Sequence, residues 1–327
     1  MVNRSSGRQF LVINKGKLFS RLNDTTTTQM MTTAATIQKR RALLAFIHRV
    51  LEPEPAVQAV IGIGSIATGQ MRPGSDIDAV IFFDPYDPYI VPAESIWLPA
   101  DGSFHSIFST AQHVQEQGLQ LDFTRCALTE WADPAFVWPE GRRVELAEAW
   151  LAFTRSDTVR QLIELRTAYP DATCRERLDE ALVWLDQHLK WDDPQGLWAS
   201  LGAAVAQDRL HAAYDYLVQA LFAYNRRWRP WRNREMSYLL KLPWLPHGFE
   251  ERVLTALNAP SHDFAGYQAR FEMLRTLFAD LLAQLVDDGL YPPDDPVGDA
   301  FVRRSEEPGR AWNMAEWNVA HQKRLRG

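Results

Sequence analysis

The chain reads as an α+β protein, a small mixed β-sheet unit followed by an all-α helical bundle, and three features predict this. Short runs rich in β-branched residues, bounded by Gly, Pro and Ser, fill residues 57–127. Leucines at helical spacing dominate after about Pro139: Leu178, Leu182, Leu185 and Leu189 form one stripe, Leu274, Leu277, Leu281 and Leu285 another. The length, 327 residues, exceeds one ordinary core, so more than one unit is expected.

Residues 1–30 are polar, lack a sustained period and carry the Thr25–Thr28 run; they are expected to be a poorly ordered leader. The sheet unit is expected over 31–139. It opens with a helix over 33–51, where Ile37, Leu43, Leu44, Ile47 and Leu51 recur at helical spacing and Pro53 and Pro55 stop the run. A buried strand follows over 57–63, then at most one helical turn over 66–71, the turn Pro73-Gly74-Ser75, and a second strand over 77–83. Beyond a proline-rich loop, 104–108 and 118–127 are expected as strands, with a short helix over 111–116 between them. The helical unit is expected over 140–290, with helices over 145–153, 175–190, 197–224 and 267–286. Residues 291–327 read as a polar, weakly patterned tail.

Composition narrows the function. Hydrophobic residues make up 46% and charged residues 23%, and the formal charge of −6 argues against a protein that coats nucleic acid through its net field. A local basic groove is still allowed, so nucleic acid stays among the partners. Cys126 and Cys174 are expected as reduced thiols of a cytoplasmic protein, with no zinc-ligand spacing. No apolar stretch approaches the roughly 20 residues that cross a bilayer, so no membrane partner is expected. P-loop, dinucleotide and Gly-x-Ser-x-Gly patterns are absent from the sequence.

One segment carries chemistry: Ile61-Gly-Ile-Gly-Ser65, ten residues, then Asp76-Ile-Asp78. On one strand, residues i and i+2 share a face, so Asp76 and Asp78 would project together. Unpaired, they repel. A hard divalent cation removes the conflict, and Mg²⁺ takes a few carboxylates completed by water and phosphate oxygens. Gly64-Ser65, where a strand turns into a short helix, would let backbone N–H groups approach phosphates, with Ser65 adding a hydroxyl. The bland alternative, an exposed Gly-Ser-Asp turn, lacks any use for Gly64-Ser65 upstream.

The pattern Gly64-Ser65, Gly69, Gly74-Ser75-Asp76-Ile77-Asp78 resembles the signature of the polymerase-β-type nucleotidyltransferase superfamily. With a helical second half, the chain is similar to the antibiotic nucleotidyltransferases that adenylylate aminoglycosides and lincosamides. The resemblance implies a transferase that moves a nucleoside monophosphate from an Mg²⁺-bound NTP, ATP foremost, to an acceptor hydroxyl with release of pyrophosphate. It implies nucleotide contacts from Gly64, Ser65 and Ser75, metal contacts from Asp76 and Asp78, and a third carboxylate on a later strand. Asp122 suits that place, because it interrupts the alternating run Leu119–Phe123 with an acid that is costly unless paired or metal-bound. It could also serve as general base. Members of this build also bring a cation from the helical half to the triphosphate, and here Arg226, Arg229 and Lys241, in and after the run 225–234, are the candidates. A solvated basic turn packed down by Trp228 and Trp231 is an equal reading of that run. A small-molecule acceptor is expected first. A protein or RNA acceptor, or an antitoxin-like regulator that binds nucleotide without turnover, stands as the alternative.

Overall fold

The computed structural model describes residues 32–189, 193–258, 263–305, 310 and 313–326, so the expected leader lies outside the described residues. Helix α1 (Ala34–Phe46) opens on Thr33, whose hydroxyl accepts from the Thr36 N–H, and runs on into one π-helical turn, Ile47–Leu51. Its apolar side, Leu43, Phe46, Ile47 and Leu51, is fully or almost fully buried.

The sheet is built from β1 (Val57–Gly62), β2 (Ile77–Phe83), β3 (Glu94–Trp97), β4 (Phe104–His105), β5 (Leu119–Ala127) and β6 (Trp150–Thr154), in the order β4-β3-β5-β2-β1-β6. β2 and β5 are parallel, and the other neighbours are antiparallel. Alternation along the strands sorts the faces. Ile77, Ala79, Ile81 and Phe83 of β2, with Leu119, Leu121 and Phe123 of β5, pack on α1. Val80, Phe82 and Cys126 face the other way, against Trp131 of α4 (Leu128–Ala132), Leu146 of α5 (Glu140–Ala147) and Val159 of α6 (Thr158–Thr167). The helices cover only part of this second face. Asp78 and Asp122 lie on it, earlier along their strands than the covered residues.

The helical half packs α7 (Asp171–Leu189), α8 (Pro194–Leu201), α9 (Ala203–Tyr224), α10 (Glu235–Leu239), α11 (Phe249–Leu257), α12 (Phe264–Asp287) and α13 (Pro296–Arg304) around one large apolar core. Both predicted leucine stripes are buried in it.

Several expected elements come out differently. Residues 145–153, expected as a helix, end α5 and begin β6, because Leu151 and Phe153 pair with β1 at the sheet edge instead of joining a helical stripe. β3 emerges from the proline-rich stretch read as loop, and β4 is two residues long where five were expected. The helix expected over 197–224 breaks at Gly202, whose φ of 84° is left-handed. The expected tail contains α13, which is docked onto α7 by a buried anchor. Asp179 accepts two hydrogen bonds from Arg303 (2.9 and 2.7 Å) and one from the Tyr291 hydroxyl (2.6 Å). No helix among the described residues is long and apolar enough to cross a membrane.

Candidate active site

The segment linking β1 to β2 is held from below by α1. The Arg40 guanidinium donates to Ile66 O (2.9 and 2.7 Å) and Ala67 O (2.7 Å), the free carbonyls of the short helix α2 (Gly64–Thr68). Gly69 then turns the chain with φ 80°, and Met71 is clasped by the hydroxyls of Thr33 (2.8 Å to its carbonyl) and Thr36 (2.9 Å from its N–H). Gly64 is thereby set beside β2: the Ile63 N–H donates to Asp78 O at 3.0 Å. Gly64 has φ +61°, and a Cβ added there would stand 3.3 Å from Asp78 Oδ2. The glycine meets two needs at once, a left-handed backbone and clear space over a carboxylate. Gly64→Ala is therefore expected to keep the fold while raising the KM for nucleotide at least about tenfold, because it combines backbone strain of about 1 kcal/mol with a methyl group in the approach to Asp78. Steady-state kinetics with a melting curve on the same sample would check this.

The acids form a row across three strands. Asp78 of β2 is directly opposite Asp122 of β5, and Asp122 is directly opposite Glu94 of β3. Residues in register on adjacent strands share a face at about 4.8 Å per strand, so the row runs Asp78, Asp122, Glu94. Asp76 comes two residues before Asp78, just ahead of β2. Burial pushes the Asp78 carboxyl up to about 6, helped by the charges of Asp76 and Asp122, while Arg234 pulls the other way. Asp122 is raised by burial, then by Glu94 and Asp76, with Arg142 opposing. Arg142 itself, on α5, is paired with Glu145 (2.8 Å) and donates to the Thr124 hydroxyl (3.0 Å). The row thus carries surplus negative charge within a partly buried face.

Among the described residues no three acidic, histidine or cysteine side chains are placed so that together they could hold a metal ion. An open row fits Mg²⁺, which takes one or two carboxylates and draws its other ligands from water and substrate phosphates. The raised carboxyls are the second sign of fit, since a divalent cation would relieve the repulsion that raises them.

The other predicted residues fall in different places. Ser65 lies within α2 beside Gly64, and Ser75 closes the turn before Asp76, its Oγ accepting from the Arg72 N–H at 3.1 Å. Arg226, with φ 52°, is paired with Asp171 (3.0 Å) and, with Lys241, lines a cleft of about 540 Å³ between the two halves. Thr68 of α2, Glu148, Arg227 and Tyr238 also line that cleft. Arg229 is elsewhere, tied to Asp215 and Glu235, and is not brought to the carboxylates.

Sequence reasoning missed four groups. Glu94 lay in a stretch read as loop. Arg234, at the end of the arginine run, is the cation of that run whose charge reaches Asp78. Lys39 of α1 has its pKa lowered by burial while Asp76 acts to raise it, which puts an ammonium near the first acid of the motif. Tyr238 donates to Glu148 (2.8 Å) across the cleft between the halves. Helical phase could have pointed to Lys39; the rest depend on tertiary packing.

The nucleotidyltransferase domain family model matches residues 45–123, which include Gly64, Ser65, Asp76, Asp78, Glu94 and Asp122. Among solved structures, the chain is similar to a nucleotidyltransferase-like protein from Exiguobacterium sibiricum 255-15, with 12% identity over 86% of this chain and 87% of that one and a TM-score of 0.39. No curated protein matches the chain. By its matched segment and the motif within it, the chain carries a nucleotidyltransferase domain of the polymerase-β-like superfamily.

Proposed function

We propose that this nucleotidyltransferase is Mg²⁺-dependent and moves a nucleoside monophosphate, AMP from ATP, onto a hydroxyl of a small cationic acceptor of the aminoglycoside kind, releasing pyrophosphate. The observation that carries the reading is the placement of Gly64 against Asp78, with Asp122 directly across in the next strand. When bound, Mg²⁺ would neutralise phosphate charge and align the reacting oxygens.

The chain's own residues supply the rest. Gly64 and Ser65 offer N–H groups and a hydroxyl to the triphosphate, and Ser75 holds the turn that presents Asp76. Asp76 and Asp78 would hold the metal, with Asp122 in register beside Asp78 as the third carboxylate of the site. Arg234 meets phosphate charge beside Asp78, while Arg226 and Lys241 line the cleft that would take the nucleoside end. Arg229 serves the turn's packing in this scheme. The acceptor approaches from the Asp122 and Glu94 end of the row, where negative charge favours a cation and Asp122 can orient the attacking hydroxyl. Catalysis then rests on alignment and charge compensation, with no covalent intermediate on the protein.

The test is pyrophosphate release with Mg²⁺, each of the four NTPs and pooled acceptors that include aminoglycosides, lincosamides and tRNA. Acceptor-dependent release that disappears in Asp76→Asn is expected. Release retained in that variant overturns the assignment of the site. Nucleotide binding with no release from any acceptor would turn the reading towards a regulator.

A further inference from the structure

Helix α1 does more than cover the sheet. Its first turns stand level with the segment that presents the motif acids: the Thr33 hydroxyl donates to Met71 O at 2.8 Å, and the Thr36 hydroxyl accepts from the Met71 N–H at 2.9 Å. Lys39 follows one turn after Thr36 and comes two turns before Phe46, so it shares a side of the helix with Phe46. The Phe46 ring packs against Trp97, Phe104 and Phe123, which belong to β3, β4 and β5. Arg40, about 100° further round, serves the other flank, with its guanidinium on the α2 carbonyls and over Trp150 of β6. Lys39 therefore stands at the end of the sheet where Asp76 leads into β2, on the flank towards β5.

The residue is half-buried, and no carboxylate among the described residues is close enough to pair with it. Burial lowers its pKa, and the charge of Asp76 opposes that shift. In the proposed reaction Asp76 gives its charge to the metal. A partly desolvated ammonium with no direct partner then needs another anion. The anion that arrives with the metal is the triphosphate, which the Gly64 cradle fixes beside Asp78, two residues from Asp76.

We propose that Lys39 is a phosphate-binding residue of the active site, whose ammonium bonds the β- and γ-phosphates of the nucleotide and holds the pyrophosphate before it leaves. The inference rests on the reading of the chain as an NTP-dependent transferase. It is not carried by the family match, which begins at residue 45. A lysine suits the task, because a compact charge on a flexible stem can follow phosphate oxygens from bound nucleotide to departing product.

The test is titration calorimetry of the parent, Lys39→Met and Lys39→Arg, with Mg²⁺ present, no acceptor, and three probes: ATP, inorganic pyrophosphate and AMP. Methionine keeps the stem and removes the charge, so it should weaken ATP and pyrophosphate about tenfold or more. AMP lacks the outer phosphates, so its affinity should stay at the parent's value, which also reports that the site is intact in each variant. Arginine should restore most of the loss. A methionine variant that keeps the parent's affinity for ATP and pyrophosphate, or that loses AMP in equal measure, overturns the role of Lys39 and leaves the transferase reading standing. A parent chain that binds none of the three probes overturns that reading itself, and the role of Lys39 falls with it.

Discussion

Replacing Asp78 by asparagine is expected to abolish nucleotidyl transfer while making the metal-free protein slightly more stable. The two effects share a cause. Burial, and then the charges of Asp76 and Asp122, raise the Asp78 carboxyl from 3.8 to about 6. A group whose folded pKa lies above its unfolded value binds more protons in the folded state between those two pH values. Its contribution is therefore fully present below about 4 and is lost as pH rises through 6. At pH 7 the ionised Asp78 is a net cost. The shift alone would amount to about 3 kcal/mol, and solvent access at this open face reduces that to about 1 kcal/mol. Asparagine keeps the shape and removes the charge, so Tm at pH 7.5 should rise by about 2 °C without metal. The stability gap between variant and parent should close at pH 4. Transfer should fall at least about a thousandfold, because the amide is a poor Mg²⁺ ligand and the row loses a charge on which alignment of the phosphates depends. Calorimetry at pH 4 and 7.5, beside a pyrophosphate assay, decides it. A variant that melts several degrees lower, or keeps a tenth of the activity, would show that Asp78 is a structural acid.

How far the site was legible follows from the range over which each signal acts. Gly64-Ser65, Asp76 and Asp78 lie within fifteen residues, and a strand, a turn and a second strand are local enough to read from β-branched runs and the Pro73-Gly74 breaker. Asp122 was legible for another local reason, an acid inside an alternating run. Glu94 was not, because a four-residue strand after Pro92 has too few residues to show a period, and its partner in register is 28 residues away. Strand β6 was hidden by Trp150-Leu-Ala-Phe153, whose apolar residues suit either a helix or an edge strand until β1 is there to pair with it. In the arginine run the residue type was readable and the direction was not. Arg229 and Arg234 are alike in sequence, yet one is held by Asp215 and Glu235 and the charge of the other reaches Asp78.

That difference predicts the largest loss of stability at Glu235. The residue is 4% exposed, and its two carboxylate oxygens are bonded to Arg229 and Arg232. Burial would lower the Arg229 pKa, and hydrogen bonds to Asp215 and Glu235 outweigh it and raise it. The same turn is fastened to α5 on its other side. The Arg229 N–H donates to Glu140 (3.2 Å), and Trp231 lies so close over Gly141 that a Cβ there would come within 2.4 Å of the indole. Glu235→Ala leaves the Arg229 guanidinium with Asp215 alone and opens space in the core, and a cost of about 3 kcal/mol is expected. Glu235→Gln, which can still accept one of the two guanidinium bonds, should lose about half of that. Because Arg234 adjoins Glu235, loosening the turn should also raise the KM for nucleotide. Arg234→Ala is the control: it should raise KM to a similar extent with Tm unchanged, since Arg234 is exposed and its absence leaves the turn's own pairs in place. If Glu235→Ala melts within about 1 °C of the parent, the buried pair is not what holds the turn, and packing of Trp228 and Trp231 carries the junction instead.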